Sequence, residues 1–260
     1  MCTVRSARTE RCEGTEPVSS ASTILIVGAS RGLGAGLAGG FLERGWNVVG
    51  TVRADSRTGL HDLAERHPGR VGIETLDIND AEQVAALRGR LAGRSLDILF
   101  VNAGTTTHDQ GVHAGEVATE EFVRVMVTNA LGPMRVIEAL QDLVPADGLI
   151  GAMSSGQGSI ANNETGMREV YRGSKAALNM FMRSFAAREA AHPRAMVALA
   201  PGWIRTDLGG PDAPYTLEES VPLLVDLLIA KRGVPGLQYL DRFGRAVPWC
   251  MAAGTRAVIV

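Results

Sequence analysis

Tyr171 and Lys175 stand four residues apart in a stretch whose apolar spacing predicts a helix from Tyr171 to about Ala191. That spacing places the phenol and the ammonium group on one face of the helix, one turn apart. A free phenol has a pKa of about 10, and a neighbouring cation lowers that pKa by favouring the phenolate. Such a pair can give a proton to an oxygen that gains negative charge, or take it back. The same spacing also occurs in helices for purely structural reasons, so the rest of the chain decides between the two interpretations.

A glycine-rich turn from Gly28 to Gly34 joins a predicted apolar strand, Ile24 to Val27, to a predicted helix that ends near Arg44. The unpaired N–H groups and the dipole at the start of a helix favour phosphate. Glycines allow the tight turn and the close approach of a pyrophosphate. The spacing G-x-x-x-G-x-G alone also fits a structural turn. Its position in the first strand-helix unit favours dinucleotide binding.

Short apolar runs alternate with helical patterns from Thr23 onward, which predicts an α/β fold: a single-domain, Rossmann-type doubly wound parallel sheet flanked by helices. The apolar runs are typical of strands covered on both faces. The predicted strands are 24–27, 46–52, 71–76, 96–101, 149–153 and 196–199. Asp80 and Gln83 predict a capping box, and Phe122 to Val144 predicts one long helical region.

Composition limits the classes of function and the domain organisation. The chain has 260 residues, 45% of them hydrophobic, which is enough for one large core at 23–249. A net charge of −2 without long blocks of one sign predicts no nucleic-acid and no membrane partner. Three cysteines without metal-ligand spacing indicate free thiols and a cytoplasmic location, and His108 and His113 lack a third ligand, so no metal is expected. Residues 1–22 are predicted to be a flexible N-terminal arm and 250–260 a C-terminal tail.

Several motifs follow one another in an order that resembles the short-chain dehydrogenase/reductase family, from roughly 23 to 249. They are the turn Gly28 to Gly34, Asn102-Ala103-Gly104, Asn129, Ser154-Ser155, Tyr171 with Lys175, and Pro201-Gly202. The segments 171–180 and 202–207 are similar to the C-factor and sniffer-like carbonyl reductase branch of that family.

The resemblance implies that Tyr171 is the general acid in a reduction. It implies that Lys175 lowers the pKa of Tyr171 and holds the nicotinamide ribose. It also implies that Ser155 hydrogen-bonds the substrate oxygen, with Ser154 as the alternative. Such donors are what a carbonyl needs as it becomes an alkoxide.

Asn129 completes the implied catalytic set and also has an argument of its own. It lies within a helical pattern, and Pro133, four residues later, has no N–H to give to its carbonyl. The freed carbonyl can hold a water, which fits the family's water relay from Lys175 to solvent. A simple helix kink at Gly132-Pro133 is the alternative interpretation.

The expected cofactor is NADP(H). Arg53 follows the second predicted strand, where NAD-preferring relatives carry an acidic residue, and Arg31 lies in the glycine turn. Two guanidinium groups suit a 2′-phosphate, although Asp55 keeps NAD open. The cofactor-binding residues implied by the resemblance are Gly28, Ser30, Arg31, Gly32, Leu33, Gly34, Arg53, Asp77, Ile78, Asn102, Ala103, Gly104, Tyr171, Lys175, Pro201, Gly202, Ile204 and Thr206.

The resemblance implies an NADPH-dependent oxidoreductase that transfers hydride between the cofactor and an aldehyde or ketone, or a secondary alcohol, with Tyr171 as general acid and base. The alternative is a cofactor-binding sensor or C-factor-like signalling protein with little or no turnover. Long helices at 122–144 and 171–191 pack between subunits in the resembling family, so a homodimer or homotetramer is expected.

The loop at 207–215 contains two glycines and two prolines and precedes a helix with a Thr216/Glu219 capping box. It is placed to close over a substrate. No Arg or Lys lies between Thr206 and Ala230, so this lid predicts a preference for uncharged carbonyl compounds. Should an anion be preferred instead, Arg205 or Arg168 would hold it.

Overall fold

The computed structural model describes residues 21–53, 57–191 and 194–250. Within these ranges seven strands form one parallel sheet in the order β3-β2-β1-β4-β5-β6-β7. The strands are β1 Thr23–Val27, β2 Asn47–Val52, β3 Val71–Thr75, β4 Ile98–Val101, β5 Leu149–Met153, β6 Ala195–Ala200 and β7 Gly236–Asp241. The predicted doubly wound parallel fold is therefore confirmed.

Helices cover both faces of the sheet. In the described ranges they are α1 Gly32–Glu43, α2 Gly59–Arg66, α3 Ala81–Arg90, α4 Thr119–Met126, α5 Gly132–Leu140, α6 Glu169–Arg188 and α7 Leu217–Ala230. Ile24 and Ile26 of β1 pack in one core cluster with α1, α2 and α7. Leu25 and Val27 pack in the other, with α3, α5 and α6. Successive strand side chains point to opposite faces, so a strand buried on both sides has an unbroken apolar sequence.

The observed elements differ from the predicted ones in two places. β7 was not predicted, because it lies at the edge of the sheet and its first three residues are only half-buried. The region 122–144 is not one helix, because a π-helical turn, Val127–Leu131, separates α4 from α5. In that turn the N–H of Gly132 bonds the carbonyl of Val127, five residues back. Pro133 offers no N–H to the carbonyl of Asn129, so the regular α-helical ladder is interrupted at this point.

The helix caps also refine the sequence prediction. The carboxylate of Asp80 accepts bonds from the N–H groups of Glu82 and Gln83, so it caps α3. The reciprocal half of that capping box was wrong, because Gln83 accepts from the N–H of Asp77 instead. The box predicted for α7 is confirmed, with the Thr216 and Glu219 side chains each bonded to the other's backbone.

The sheet opens a crevice where its strand order reverses, between β1 and β4. Successive connections leave these two strands in opposite directions, so the loops at their carboxyl ends separate and leave room for a ligand. The motifs that follow β1, β4, β5 and β6 all lie at this edge. No helix within the described residues is long and apolar enough to cross a bilayer. Residues 1–20 of the predicted arm, 251–260 of the predicted tail, and Asp55 lie outside the described residues.

Candidate active site

A cavity of about 730 Å³ occupies the crevice at the carboxyl edge of the sheet. Every residue predicted for the site lines it except Gly34 and Asn129. The predicted residues on its wall are Gly28, Ser30, Arg31, Gly32, Leu33, Arg53, Asp77, Ile78, Asn102, Ala103, Gly104, Ser155, Tyr171, Lys175, Pro201, Gly202, Ile204 and Thr206. Residues from the ends of six strands thus meet around one space.

The glycine turn is fixed by bonds to the two neighbouring strands. The N–H of Gly28 donates to Oγ1 of Thr51 at 2.9 Å, and its carbonyl accepts from Nδ2 of Asn102 at 2.8 Å. Gly28 has φ 88°, and a Cβ there would lie 2.9 Å from Ala103. A Cβ on Gly34 would lie 2.0 Å from the carbonyl oxygen of Gly28. Gly34 therefore permits close packing of α1 on the turn and does not reach the cavity.

The start of α1 faces the cavity without a side-chain cap. Arg31 occupies the N-cap position, and its side chain makes no bond to the first N–H groups of the helix. Gly32, with φ 55°, and Leu33 line the cavity beside it. Uncapped donors at a helix start form a site for phosphate oxygens, so this part of the wall fits a dinucleotide.

Two arginines stand at the outer end of the cavity. Arg53 directly follows β2, lines the cavity and is exposed. Arg31 forms an ion pair with Asp207 of the lid loop at 3.0 Å, with both side chains more than 70% exposed. Exposed ion pairs of this kind are weak, so another anion can replace Asp207 at the Arg31 guanidinium.

Tyr171 and Ser155 meet on the inner wall of the cavity. Burial raises the pKa of Tyr171, and a hydrogen bond with Ser155 and the charge of Arg168 offset that rise only in part. Ser154, the alternative, is buried and donates its hydroxyl to Oδ1 of Asn179 at 2.6 Å. Ser155 lines the cavity with Tyr171, and its Oγ accepts from the N–H of Gln157 at 3.1 Å, so its hydroxyl proton is free for another acceptor.

Lys175 is buried one helical turn beyond Tyr171. Its Nζ donates to the carbonyl of Met153 at 2.9 Å and lies 5.9 Å from the centre of the Tyr171 ring. Burial lowers the pKa of Lys175 to about 8. That Lys175 lowers the pKa of Tyr171 stays a prediction. The net shift of Tyr171 is upward, and the cation that opposes it is Arg168.

Asn129 lies behind this pair, in the π-helical turn. Its Nδ2 donates to the carbonyl of Thr105 at 2.8 Å and to Oγ of Ser174 at 2.9 Å, and its Oδ1 accepts from the N–H of Thr105 at 2.7 Å. A Cβ on Gly104 would lie 3.3 Å from both Oδ1 of Asn129 and Nζ of Lys175. Gly104 therefore leaves the space in which the asparagine and the lysine approach each other.

The cavity also contains residues that sequence reasoning missed. Thr51 lines it and holds the glycine turn, and the signal was a lone hydroxyl inside an apolar strand. Arg124 lines it as well, and its position in the sequence gave no signal. His108 and His113 are exposed and pair with Glu121 and Glu169, respectively.

Fold and site together define a nucleotide-binding α/β protein of the oxidoreductase type. The profile described as short chain dehydrogenase matches residues 22–214. The chain therefore belongs to the short-chain dehydrogenase/reductase family, as its motifs indicated.

Individual relatives agree with this assignment. A short-chain dehydrogenase/reductase from Burkholderia multivorans with bound NADP is 66% identical, with a TM-score of 0.87 over 88% of this chain and 100% of that one. A carbonyl reductase from Pseudomonas aeruginosa in complex with NADP is 36% identical, with a TM-score of 0.82 and the same coverage. The C-signal protein of Myxococcus xanthus is 34% identical over 156 residues, 59% of this chain and 93% of that protein.

Proposed function

We propose that the protein is an NADP(H)-dependent reductase that interconverts an aldehyde or ketone and its alcohol, with Tyr171 as the general acid and base. The observation that carries the proposal is that Tyr171, Ser155 and Lys175 line the same cavity into which the glycine turn opens. When bound, NADPH supplies the hydride. The bound NADP of the Burkholderia and Pseudomonas structures supports this choice of cofactor.

Tyr171 suits the role of acid in the reductive direction. Burial raises its pKa, so the phenol keeps its proton at neutral pH and has one to donate. As a carbonyl oxygen becomes an alkoxide, the hydroxyls of Tyr171 and Ser155 donate hydrogen bonds to it, and the proton of Tyr171 moves to that oxygen. Donors fixed in place before the reaction stabilise the developing charge without further reorganisation.

Lys175 and Asn129 are proposed to return the proton to Tyr171. A pKa of about 8 lets the buried amino group of Lys175 exchange a proton near neutral pH. The carbonyl of Asn129 receives no N–H from Pro133, which supports a water bound between the helix and Lys175. This supports a proton path that leaves the cavity behind Gly104.

The cofactor is proposed to lie along the wall that begins at the glycine turn. The free N–H groups at the start of α1 bind the pyrophosphate, and Arg53 with Arg31 binds the 2′-phosphate. Thr206, at the lid end of the cavity, contacts the carboxamide.

A cofactor-binding sensor with little turnover is the second candidate. The similarity to the C-signal protein supports this second candidate. Against it stands the set of Tyr171, Ser155 and Lys175 on the cavity wall, because a protein that only binds the cofactor has no use for a positioned acid.

Tyr171→Phe tests the proposal, because it keeps the ring and removes the transferable proton. We expect turnover of the carbonyl substrates to fall by at least about 100-fold while NADPH binding, followed by fluorescence, is kept. Tyr215→Phe is the matched control, since Tyr215 lies on the lid loop outside the cavity wall. Near-full activity of Tyr171→Phe would contradict the mechanism. A wild-type protein that binds NADPH and reduces no member of a broad carbonyl panel would favour the sensor.

A further inference from the structure

Arg168 lines the cavity three residues before Tyr171, and the proposed mechanism gives it no task. It precedes α6 with φ 61° and ψ 43°, and within the described part of the chain it alone has a positive φ without being glycine. A side chain disfavours this backbone conformation. Such strain persists where the surroundings or a function hold it, which makes Arg168 a candidate for a functional contact.

The guanidinium of Arg168 has one free edge. Its Nε and Nη2 are buried and have no hydrogen-bond partner among the described residues. These two nitrogens form one side of the planar group, and their parallel N–H bonds match the two oxygens of a carboxylate. Buried cationic donors without an acceptor are unfavourable, so the free edge favours binding of an anion.

Two neighbours on the cavity wall also carry unsatisfied polar atoms. Oε1 of Gln157 and Oγ1 of Thr106 are buried without a partner among the described residues, and both residues line the same cavity as Arg168. The hydroxyl of Thr106 can donate to an oxygen of a bound anion, whereas Oε1 of Gln157 only accepts and can receive an N–H or O–H group of the ligand. This wall is therefore polar and unsatisfied, unlike the sides of the cavity that Met153 and Leu208 provide.

The other arginines near the cavity are hydrogen-bonded or ion-paired to protein groups, or lie away from Tyr171. Arg124 donates to Glu121 and to Thr105 and Thr106 through Nε, Nη1 and Nη2. Arg205 donates to carbonyl groups of its own loop, and Arg31 pairs with Asp207. These contacts leave Arg168 as the arginine beside Tyr171 that has donors without a partner among the described residues.

We propose that Nε and Nη2 of Arg168 bind the carboxylate of an oxo acid whose carbonyl is reduced at Tyr171, an inference that rests on the proposed reductase function. The guanidinium carbon of Arg168 lies 4.8 Å from the centre of the Tyr171 ring. A carboxylate on the free edge is therefore held close to the carbonyl that accepts the proton. This closeness favours short 2-oxo and 3-oxo acids over chains that separate the two groups widely.

The electrostatics of the cavity agree with an anionic ligand. Burial lowers the pKa of Arg168, yet an arginine keeps its charge at neutral pH. A carboxylate bound beside it compensates that buried charge. The expectation of uncharged substrates considered only the lid, where Arg and Lys are absent. Arg168 stands on the wall formed by the start of α6, and the inference replaces that expectation.

The kinetic test compares each acid with its own methyl ester: 2-oxobutanoate, acetoacetate and the two esters, with NADPH. We expect kcat/KM to be higher for the acids in the wild type. Arg168→Met keeps the side-chain stem and should lower kcat/KM for the acids by about 10- to 100-fold more than for the esters. Arg168→Lys keeps the positive charge but lacks the two parallel N–H groups of the guanidinium. Its kcat/KM for the acids should lie between those of the wild type and of Arg168→Met. Arg172→Met is the control, because Arg172 bonds Met167 and Thr165 and does not line the cavity.

A binding test separates this inference from the reductase function. Butanoate, which has no carbonyl to reduce, is titrated calorimetrically into the protein saturated with NADP⁺. We expect Arg168→Met to weaken its binding at least about 10-fold and Arg172→Met to leave it unchanged. Arg168→Gly, which adopts φ 61° freely, should show the same loss and serves as the folding control.

The outcomes are distinct. Equal binding of butanoate by wild type and Arg168→Met overturns the anion site. Reduction of the esters in preference to the acids by the wild type also overturns it, and the reductase function stands. Binding of butanoate through Arg168 without reduction of any carbonyl compound supports the anion site and contradicts the reductase.

Discussion

Lys175 has a buried amino group whose bond within the described residues is to the carbonyl of Met153. Burial lowers its pKa to about 8, whereas an unfolded chain titrates lysine near 10.4. Between these two values the unfolded state binds more protons than the folded state. The free energy of unfolding therefore rises with pH in this window, and below about pH 8 the charged lysine destabilises the fold.

Lys175→Met removes that buried charge. We expect the apoprotein variant to be more stable than the wild type by about 2–3 kcal/mol at pH 7, and the difference to shrink as the pH rises toward about 10. Denaturant unfolding of both proteins across this range measures it. Lys231→Met is the control, because Lys231 is the other lysine of the chain and is less buried. A stability difference that does not change with pH would contradict the shifted pKa.

Arg53 determines the choice of cofactor if it binds the 2′-phosphate. Arg53→Asp places a carboxylate there, so NADPH binding should weaken at least about 10-fold relative to NADH binding. Dissociation constants for both cofactors, measured by fluorescence, give this ratio. Arg94→Asp makes the same change of charge at an exposed position off the cavity wall. An unchanged ratio in Arg53→Asp would mean that its side chain points elsewhere.

At the scale of elements, the sequence predicted β1 to β6 because buried parallel strands are continuous apolar runs bounded by polar turns. It missed β7, whose sequence mixes Gln238 and Asp241 with apolar residues at the sheet edge. Pro133 predicted an interruption of the helix but not a π-helical turn. The missing N–H shows that one bond is absent, and it does not determine how the neighbouring hydrogen bonds shift. The residues of the site were predicted by their order in the chain, whereas their contacts were not.

Gly34→Ala tests how closely α1 packs on the glycine turn. The added Cβ would lie 2.0 Å from the carbonyl oxygen of Gly28, so helix and turn must separate. We expect a loss of about 1–3 kcal/mol or more, with weaker NADPH binding. Gly89→Ala, on the exposed side of α3, meets no atom within 4 Å and should be neutral or stabilising by up to about 1 kcal/mol. Thermal unfolding compares the two, and an equal effect would rule out the steric explanation.

At the scale of the whole molecule, α4 and α6 carry large apolar side chains that the fold leaves exposed. Phe122 and Val123 on α4 are 44% and 48% exposed, and Met180 and Phe181 on α6 are 59% and 44% exposed. Phe185 of the same helix is buried against the sheet. The helical spacing in the sequence could not assign these two faces, because both carry aromatic residues.

We therefore expect a homodimer or homotetramer that buries this surface at micromolar concentration. Phe181→Glu should shift the protein toward monomer in sedimentation or light scattering. Phe243→Glu, an exposed aromatic residue near the end of β7, should leave the mass unchanged. A monomeric wild type across this concentration range would contradict the prediction.

Some relations at this scale could not be predicted, because they join side chains from distant loops. Nothing in the sequence places Arg168 over the Tyr171 ring or shows that Arg124 is already paired. Side-chain direction depends on backbone angles such as the positive φ of Arg168, and residue order does not give them. The site residues remain a sequence prediction, and the structure adds that Arg124 is paired whereas two nitrogens of Arg168 have no partner among the described residues.

The Arg31–Asp207 ion pair joins the glycine turn to the lid loop across the mouth of the cavity. If Arg31 turns to the 2′-phosphate, as proposed, it leaves Asp207, so arrival of the cofactor and release of the loop become one event. The Asp207 carboxylate would compete with the 2′-phosphate for Arg31 and be displaced by it. Exchanging one anion for another keeps the guanidinium neutralised throughout, and the modest strength of an exposed pair makes the exchange reversible. On that proposal the loop would be released only when the cofactor is bound, and the substrate would then bind second.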